Sequence, residues 1–323
     1  MMQKTLPVLL LAAILCAGCF PNVTLLPDYS EPFKEVTLEG KGADKILLLP
    51  VKGFITTEPR RETFGESPSL VQEVTARLDL ASRDPAVKGI VLLIDSPGGT
   101  STASDILYQE IMRFREETDA RVAACLLGLA TSGGYYTAIS SERIIAHPTT
   151  VTGSVGTIFL APSIKGLMDK VGVEVSVYRS GEMKDMGSLF REASPEEREI
   201  FQRLILQLNS RFLNLVQENR HLDSRIMEEI AKGRVYSGLE AKSMGLVDDI
   251  GYVRDAVRSV RELAGLDENS RLVAYRRTVS PHDTAYNFSA MEFAPGPTHL
   301  GTDLKRFLSL PGSGFYYLWA PEF

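Results

Sequence analysis

Two short runs that are apolar at every position constrain this chain most. Ile90-Val91-Leu92-Leu93-Ile94, preceded by Gly89, and Val122-Ala123-Ala124-Cys125-Leu126-Leu127 are too short for buried helices. A strand without a polar face is covered on both sides, as in a parallel sheet flanked by helices. Between the runs, Asp105 to Arg115 has helical periodicity. Upstream, Ile46 to Val51 reads as a further strand. Ser67 and Pro68 then read as the cap and first turn of a helix carrying Leu70, Val71, Val74 and Leu78 on one face. The alternation predicts an α/β fold with a mainly parallel sheet and right-handed crossovers.

The second half continues the pattern. Arg143 to Ala146, Val155 to Leu160 and Val173 to Tyr178 read as strands, and Ile164 to Lys170 as a helix. Ser194-Pro195-Glu196-Glu197 is a capping box with proline in the first turn, opening a long helix to about Asn219. Asp223 and Ser237 cap shorter helices. Residues 44–265 are thus expected to form the folded domain. Residues 266–323, with Pro281, Pro295, Pro297 and Pro321, read as an irregular C-terminal extension. Its aromatic end, Phe315 to Trp319, is expected either to dock on a neighbouring copy or the membrane interface, or to trail loosely.

At the N-terminus, Lys4 precedes an apolar run from Thr5 to Leu15, and small residues lead to Cys19. These are the parts of a secretory signal, and the run is too short to span a bilayer comfortably. Leu15-Cys16-Ala17-Gly18-Cys19 resembles a bacterial lipobox, with Cys16 where leucine is usual. Residues 1–18 are therefore read as a lipoprotein-type signal peptide, Cys19 as the lipid attachment point and 19–43 as a membrane tether. A plain signal peptide or short signal-anchor is the alternative. Processing leaves Cys125 alone, so no intramolecular disulfide can form, and a thiol inside an apolar strand is a core residue rather than a nucleophile. A net charge of −6 argues against a nucleic-acid partner. No cysteine and histidine cluster suggests zinc, and no cofactor is expected.

Three segments carry potential chemistry. Asp95-Ser96-Pro97-Gly98-Gly99 follows a buried strand, where adjacent glycines can leave backbone N–H groups bare for a developing oxyanion. Ala130-Thr131-Ser132-Gly133-Gly134 also follows a buried strand and nearly matches the Gly-x-Ser-x-Gly elbow, with Ala130 for the first glycine. Ser132 is then a candidate nucleophile with the Gly133 N–H beside it, or else only a helix N-cap. A base is needed as well. His147, the one histidine inside the glycine-rich region, is one candidate, with an aspartate behind it. Lys184, on a loop after the Val173 to Tyr178 strand, is another, provided burial keeps it neutral. Spacing alone leaves the choice open.

Taken together, five segments resemble the signal peptide peptidase A (protease IV) family in order and approximate spacing. They are Asp95-Ser96-Pro97-Gly98-Gly99, Ser132-Gly133-Gly134-Tyr135-Tyr136, Thr152-Gly153-Ser154-Val155-Gly156, Gly181-Glu182-Met183-Lys184-Asp185, and Gly233-Arg234-Val235-Tyr236-Ser237-Gly238 running on to Asp248. The resemblance covers roughly residues 44–260 and implies a Clp/crotonase-type β-β-α superhelix with Ser132 as nucleophile and Lys184 as general base. It also implies oxyanion contacts from Gly133 and the Gly98-Gly99 turn. One copy of the motifs resembles the family's short form, which implies a homo-oligomer with sites near protomer interfaces, acting on remnant signal peptides or other hydrophobic, unstructured peptides. The implied place is the bacterial cell envelope, membrane-anchored, with the catalytic domain outside the cytoplasm. The alternatives are a Clp/crotonase-fold peptide-binding or scaffold protein without catalysis, an acyl-CoA enzyme of the crotonase branch, and a Ser132–His147 hydrolase.

Overall fold

The computed structural model describes residues 29–62, 65–279, 282–287, 313–319 and 321. The signal segment 1–18 and Cys19 lie outside the described residues. In chain order, β1 (Lys34–Glu39) and β2 (Lys45–Lys52) precede β3 (Arg60–Glu62), β4 (Gly65–Ser67), helix α1 (Leu70–Ser82), β5 (Val87–Ser96) and β6 (Gly98–Thr100). Next come α2 (Ser101–Thr118), β7 (Arg121–Thr131), α3 (Gly133–Ala138), β8 (Arg143–Ala146), β9 (Val151–Gly153) and β10 (Ile158–Leu160). The remainder is α4 (Lys165–Val171), α5 (Pro195–Arg220), α6 (Ser224–Ile230), β11 (Val235–Ser237) and α7 (Gly238–Ser243), then β12 (Asp249–Ile250), α8 (Val253–Ala264), β13 (Arg271–Arg276) and β14 (Gly314–Leu318).

The main sheet runs β1-β13-β2-β5-β7-β8-β12, with β9 on the far end of β7 and β11 on β9. From β13 to β12 every pair is parallel, so the expected α/β class with a mainly parallel sheet is what forms. The apolar runs are its central strands, and both their faces are used. Ile90, Leu92, Ile94, Val122, Ala124 and Leu126 face one core, and Val91, Leu93, Ala123 and Cys125 face the other. Helix α8 closes the second core with Val253, Ala256, Val257 and Val260. It lies so close that a Cβ on Gly89 would sit 2.2 Å from Val260 Cγ1.

Several elements depart from the sequence reading. Helix α1 starts later than the Ser67-Pro68 pair suggests. Ser69 caps it, with its Oγ accepting from the Gln72 amide (3.1 Å) while the Gln72 side chain accepts from the Ser69 amide (2.8 Å). Part of the segment read as a tether forms β1, which pairs antiparallel with β13 out of the segment read as irregular. The aromatic end is not loose either: residues 314–318 form the middle strand of a second, three-stranded sheet, β10-β14-β6. Conversely, residues 173–178 form no strand. Val173, Val175 and Val177 alternate as a strand requires, but all three are exposed. The pattern is right, but no strand among the described residues pairs with it.

Candidate active site

The carboxyl ends of β5 and β7 converge where parallel sheets place ligands. Ser96 pairs with Ala130 across these strands, and the Asp95 carboxylate accepts from the Leu129 amide at 3.2 Å. Ser96 organises the following turn. Its Oγ donates to the Gly53 carbonyl (2.7 Å) and accepts from the Gly98 amide (3.0 Å). Gly98 then turns with φ +102°, a conformation that disfavours any side chain.

Ser132 sits between β7 and α3 with φ 52° and ψ −113°. A non-glycine residue rarely adopts such a backbone, and it persists only where its surroundings enforce it. Two hydrogen bonds do so: the Ser132 amide donates to the Gly153 carbonyl (2.8 Å), and the Ser132 carbonyl accepts from the Tyr136 amide (2.8 Å). The hydroxyl makes no cap hydrogen bond to α3, so the side chain is not used as the plain N-cap it could have been. Its Oγ instead faces the Gly156 carbonyl at 3.5 Å, too long to hold it firmly.

The three glycines read as oxyanion donors meet here. A Cβ on Gly133 would lie 3.1 Å from both the Gly98 Cα and the Gly99 nitrogen, and 2.3 Å from Ser104 Oγ. A Cβ on Gly98 would lie 2.8 Å from the Gly133 nitrogen. The Gly98 amide is already bonded to Ser96 Oγ and Gly99 is paired with Tyr317 in the β6–β14 ladder, which leaves Gly133 as the amide better placed to serve an oxyanion. Sequence reasoning missed the positioning roles of Ser96, Ser104 and the Gly153 carbonyl. The signal for Gly153 was present in Thr152-Gly153-Ser154-Val155-Gly156, whose two glycines had no assigned purpose.

Lys184 is placed apart. It ends a turn closed by its amide on the Gly181 carbonyl (3.1 Å), its side chain is exposed, and no described hydrogen bond joins it to Ser132. The loop around it is well fixed. Asp185 bridges Arg179 (2.7 Å) and Arg191 (2.8 Å), and Arg191 also pairs with Glu197 in the first turn of α5. Hydrogen bonds from Arg191 and then Arg179 hold the Asp185 carboxyl well below the usual carboxylate range. His147, the rival base, has Nδ1 2.8 Å from Thr149 Oγ1 and its ring edge-on to Tyr252 at 5.0 Å. No described hydrogen bond joins it to Ser132 either.

Comparison with known proteins gives the site a context. Residues 115–267 match Peptidase family S49. A protein of Enterococcus faecium provisionally named signal peptide peptidase SppA is 34% identical over 233 residues, covering 72% of this chain and 67% of that protein. Protease 4 of Salmonella typhi is 34% identical over 188 residues, covering 58% of this chain and 30% of that protein. The chain thus spans about two thirds of the first relative and less than a third of the second. Among solved structures, a ClpP1 variant of Listeria monocytogenes superposes with a TM-score of 0.42 at 21% identity, over 65% of this chain and 94% of that one.

Proposed function

From a chain that belongs to Peptidase family S49 we infer a serine endopeptidase in which Ser132 is the nucleophile and Lys184 the general base. The observation that carries this reading is the strained Ser132 backbone at the end of β7, with the Gly133 nitrogen packed against the Gly98-Gly99 turn. Neutral Lys184 takes the Oγ proton as Oγ attacks the scissile carbonyl carbon. The oxyanion accepts N–H groups of Gly133 and the Gly98-Gly99 turn. The C–N bond then breaks, and the leaving amine takes the proton from Lys184. Water, deprotonated by Lys184, attacks the acyl ester; the Oγ–acyl bond breaks, Lys184 returns its proton to Oγ to restore Ser132, and the acid product ionises on release.

A lysine serves as base only when desolvation keeps it neutral, and in one copy Lys184 is exposed. We therefore propose a homo-oligomer in which a neighbouring copy covers the Lys184 loop and brings base and nucleophile together. The surface leading to Lys184 supports this. Val173 (53%), Val175, Val177 and Tyr178 (96%) are exposed in a row, joined by Leu167 and Val171. Contiguous apolar exposure of this kind marks an interaction face. The proposed substrates are remnant signal peptides and other hydrophobic, unstructured peptides. The proposed location is the bacterial cell envelope, with a lipid on Cys19 tethering a catalytic domain held outside the cytoplasm. Among the described residues, no helix is long and apolar enough to cross a membrane.

The test is cleavage of a fluorogenic hydrophobic peptide by the wild type, Ser132→Ala, Lys184→Ala and His147→Ala. Ser132→Ala and Lys184→Ala should each lose about 10⁴-fold in rate while His147→Ala keeps its activity. Loss confined to Ser132→Ala and His147→Ala would transfer the base to the histidine. Silence of the wild type across peptides and pH would leave a peptide-binding protein on this fold.

A further inference from the structure

One guanidinium ties the Lys184 loop to the helix that follows it. Arg191 divides its fork between two carboxylates and two carbonyls. Its Nε donates to Asp185 Oδ2 (2.9 Å) and its Nη2 to Asp185 Oδ1 (2.8 Å), a bidentate grip on the residue directly after Lys184. Nη2 also reaches the Asp185 carbonyl (3.2 Å) and Glu197 Oε1. Nη1 donates to Glu197 Oε2 (3.1 Å) and to the Glu192 carbonyl (3.0 Å). Asp185 is thus held by side chain and main chain alike.

The two carboxylates have different supports. Glu197 is 1% exposed, and its carboxylate also accepts from the Ser194 amide (3.2 Å) in the capping box that starts α5. Asp185 belongs to a run of tight turns. Lys184, Met186 and Ser188 donate their amides to the carbonyls of Gly181 (3.1 Å), Met183 (3.2 Å) and Asp185 (3.1 Å). Arg179 grips Asp185 as well (2.7 Å), but among the described hydrogen bonds it is those of Arg191 that join Asp185 to α5.

Further along, α5 packs behind the nucleophile. Arg211 donates to Asp105 Oδ1 through Nε (3.0 Å) and Nη2 (2.6 Å), and the Tyr136 hydroxyl donates to the same oxygen (2.6 Å). Phe212 lies 4.8 Å from the Tyr136 ring. Tyr136 is in α3, and its amide donates to the Ser132 carbonyl. From Glu197 to Arg211 the helix rises about 21 Å. Helix α5 is therefore a spacer that carries the Lys184 loop at its start and braces the Ser132 turn about four turns later.

We propose that Arg191 is the positioning residue of the base. It acts through Asp185 to fix the Lys184 main chain against α5, so that Nζ is presented in one geometry. A lysine at 191 would keep the charge but not the fork, and the two carboxylates require the fork. The inference rests on the reading of Lys184 as general base.

The test uses the full chain as wild type, Arg191→Ala and Arg191→Lys. Hydrogen exchange read by mass spectrometry follows residues 181–189, and cleavage of a hydrophobic peptide follows catalysis. In Arg191→Ala the segment should exchange about tenfold faster. Its kcat should fall about 10²-fold with KM kept within about twofold, because a misplaced base costs the chemical step and not peptide binding. Millimolar guanidinium, far below denaturing concentrations, should restore kcat about tenfold in Arg191→Ala and not in Arg191→Lys. Asp185→Asn weakens the same tie from the loop and leaves Arg191 on Glu197, so it must show the same kcat and KM pattern even where Arg191→Ala fails to fold. Unchanged exchange or kcat in Arg191→Ala, a loss carried by KM alone, or no restoration by guanidinium would each overturn the proposal. The peptidase reading would survive these, provided Ser132→Ala and Lys184→Ala are inactive. A Lys184→Ala protein that cleaves like the wild type would instead remove the base reading, and the positioning role with it.

Discussion

The amide of Ser132 is bonded to the carbonyl of Gly153 at 2.8 Å, which locks the β7–α3 turn to the last residue of β9. Gly153 has φ +85°, and a Cβ there would lie 2.5 Å from Tyr236 Cδ2 and 2.9 Å from the Arg234 carbonyl oxygen. Its carbonyl can therefore face Ser132 only while the residue stays glycine.

Gly153→Ala is thus expected to destabilise the protein by about 1–3 kcal/mol and to lower kcat more than it raises KM. Urea denaturation beside steady-state kinetics tests this. A variant with unchanged denaturation midpoint and kcat would show that the Ser132 conformation does not depend on that carbonyl.

Gly133→Ala probes the nucleophile turn from the other side. Its Cβ meets Ser104 Oγ at 2.3 Å, so adding Ser104→Ala removes the worst contact, while Gly98 Cα and the Gly99 nitrogen remain at 3.1 Å. The double variant should regain stability yet stay about 10²–10³-fold down in kcat, the size of one displaced oxyanion donor. Full recovery of rate in the double variant would remove Gly133 from the oxyanion site.

Much of the main sheet can be read from residues because each central strand carries its own evidence. The runs in β5 and β7 have no polar face, which requires two covered faces wherever they sit. The Ser194 capping box and the Ser69–Gln72 box are likewise local, although Pro68 drew the reading of α1 towards the wrong cap. What escapes is non-local pairing. Strand β1 carries Lys34, Glu35 and Glu39 on an edge, and β14 looks like an aromatic cluster without a place. Nothing in either segment names its partner. Val173 to Val177 has a better strand pattern than β1, yet no described strand pairs with it, because alternation states a preference and pairing decides the outcome. The candidate site divides in the same way. The glycines that had to meet Ser132 follow from strand ends, whereas nothing in the residues around Lys184 fixes where that loop lies relative to Ser132.

Acid should act on the Lys184 loop through Asp185. Its carboxyl is held below the ordinary range by Arg191 and Arg179, so the bridge contributes fully above the unfolded-state value of about 3.9. That contribution is lost as pH falls below it towards the folded-state value. Asp185→Asn should therefore unfold at lower urea than the wild type at pH 7, with the difference narrowing at pH 3. A difference independent of pH would show that the arginines are not what fixes the loop.

Glu73 is the buried hinge of another arrangement. It pairs with Arg77 (2.8 Å) and Arg277 (2.7 Å), and both guanidinium groups stack on Phe33 at 4.3 and 4.2 Å. Burial pushes Arg77 down to about 10. Glu73→Gln removes the countercharge from a buried cation and should destabilise the protein by about 3–5 kcal/mol. A loss under 1 kcal/mol in urea denaturation would show that the pair breaks even with its desolvation.

The ends of the main strand path have a consequence for how a domain whose one described cysteine is free resists self-association. One end is β1, polar, mostly exposed and broken by an irregularity between Thr37 and Glu39; the other is β12, two residues long. Both are poor templates for a passing polypeptide, since a long, flat, apolar border is what seeds fibrils and clumps. A protein whose proposed diet is sticky, unfolded segments thereby avoids being glued to its food. Borders so charged or so short offer an extended chain little edge on which to stack, which disfavours aggregation.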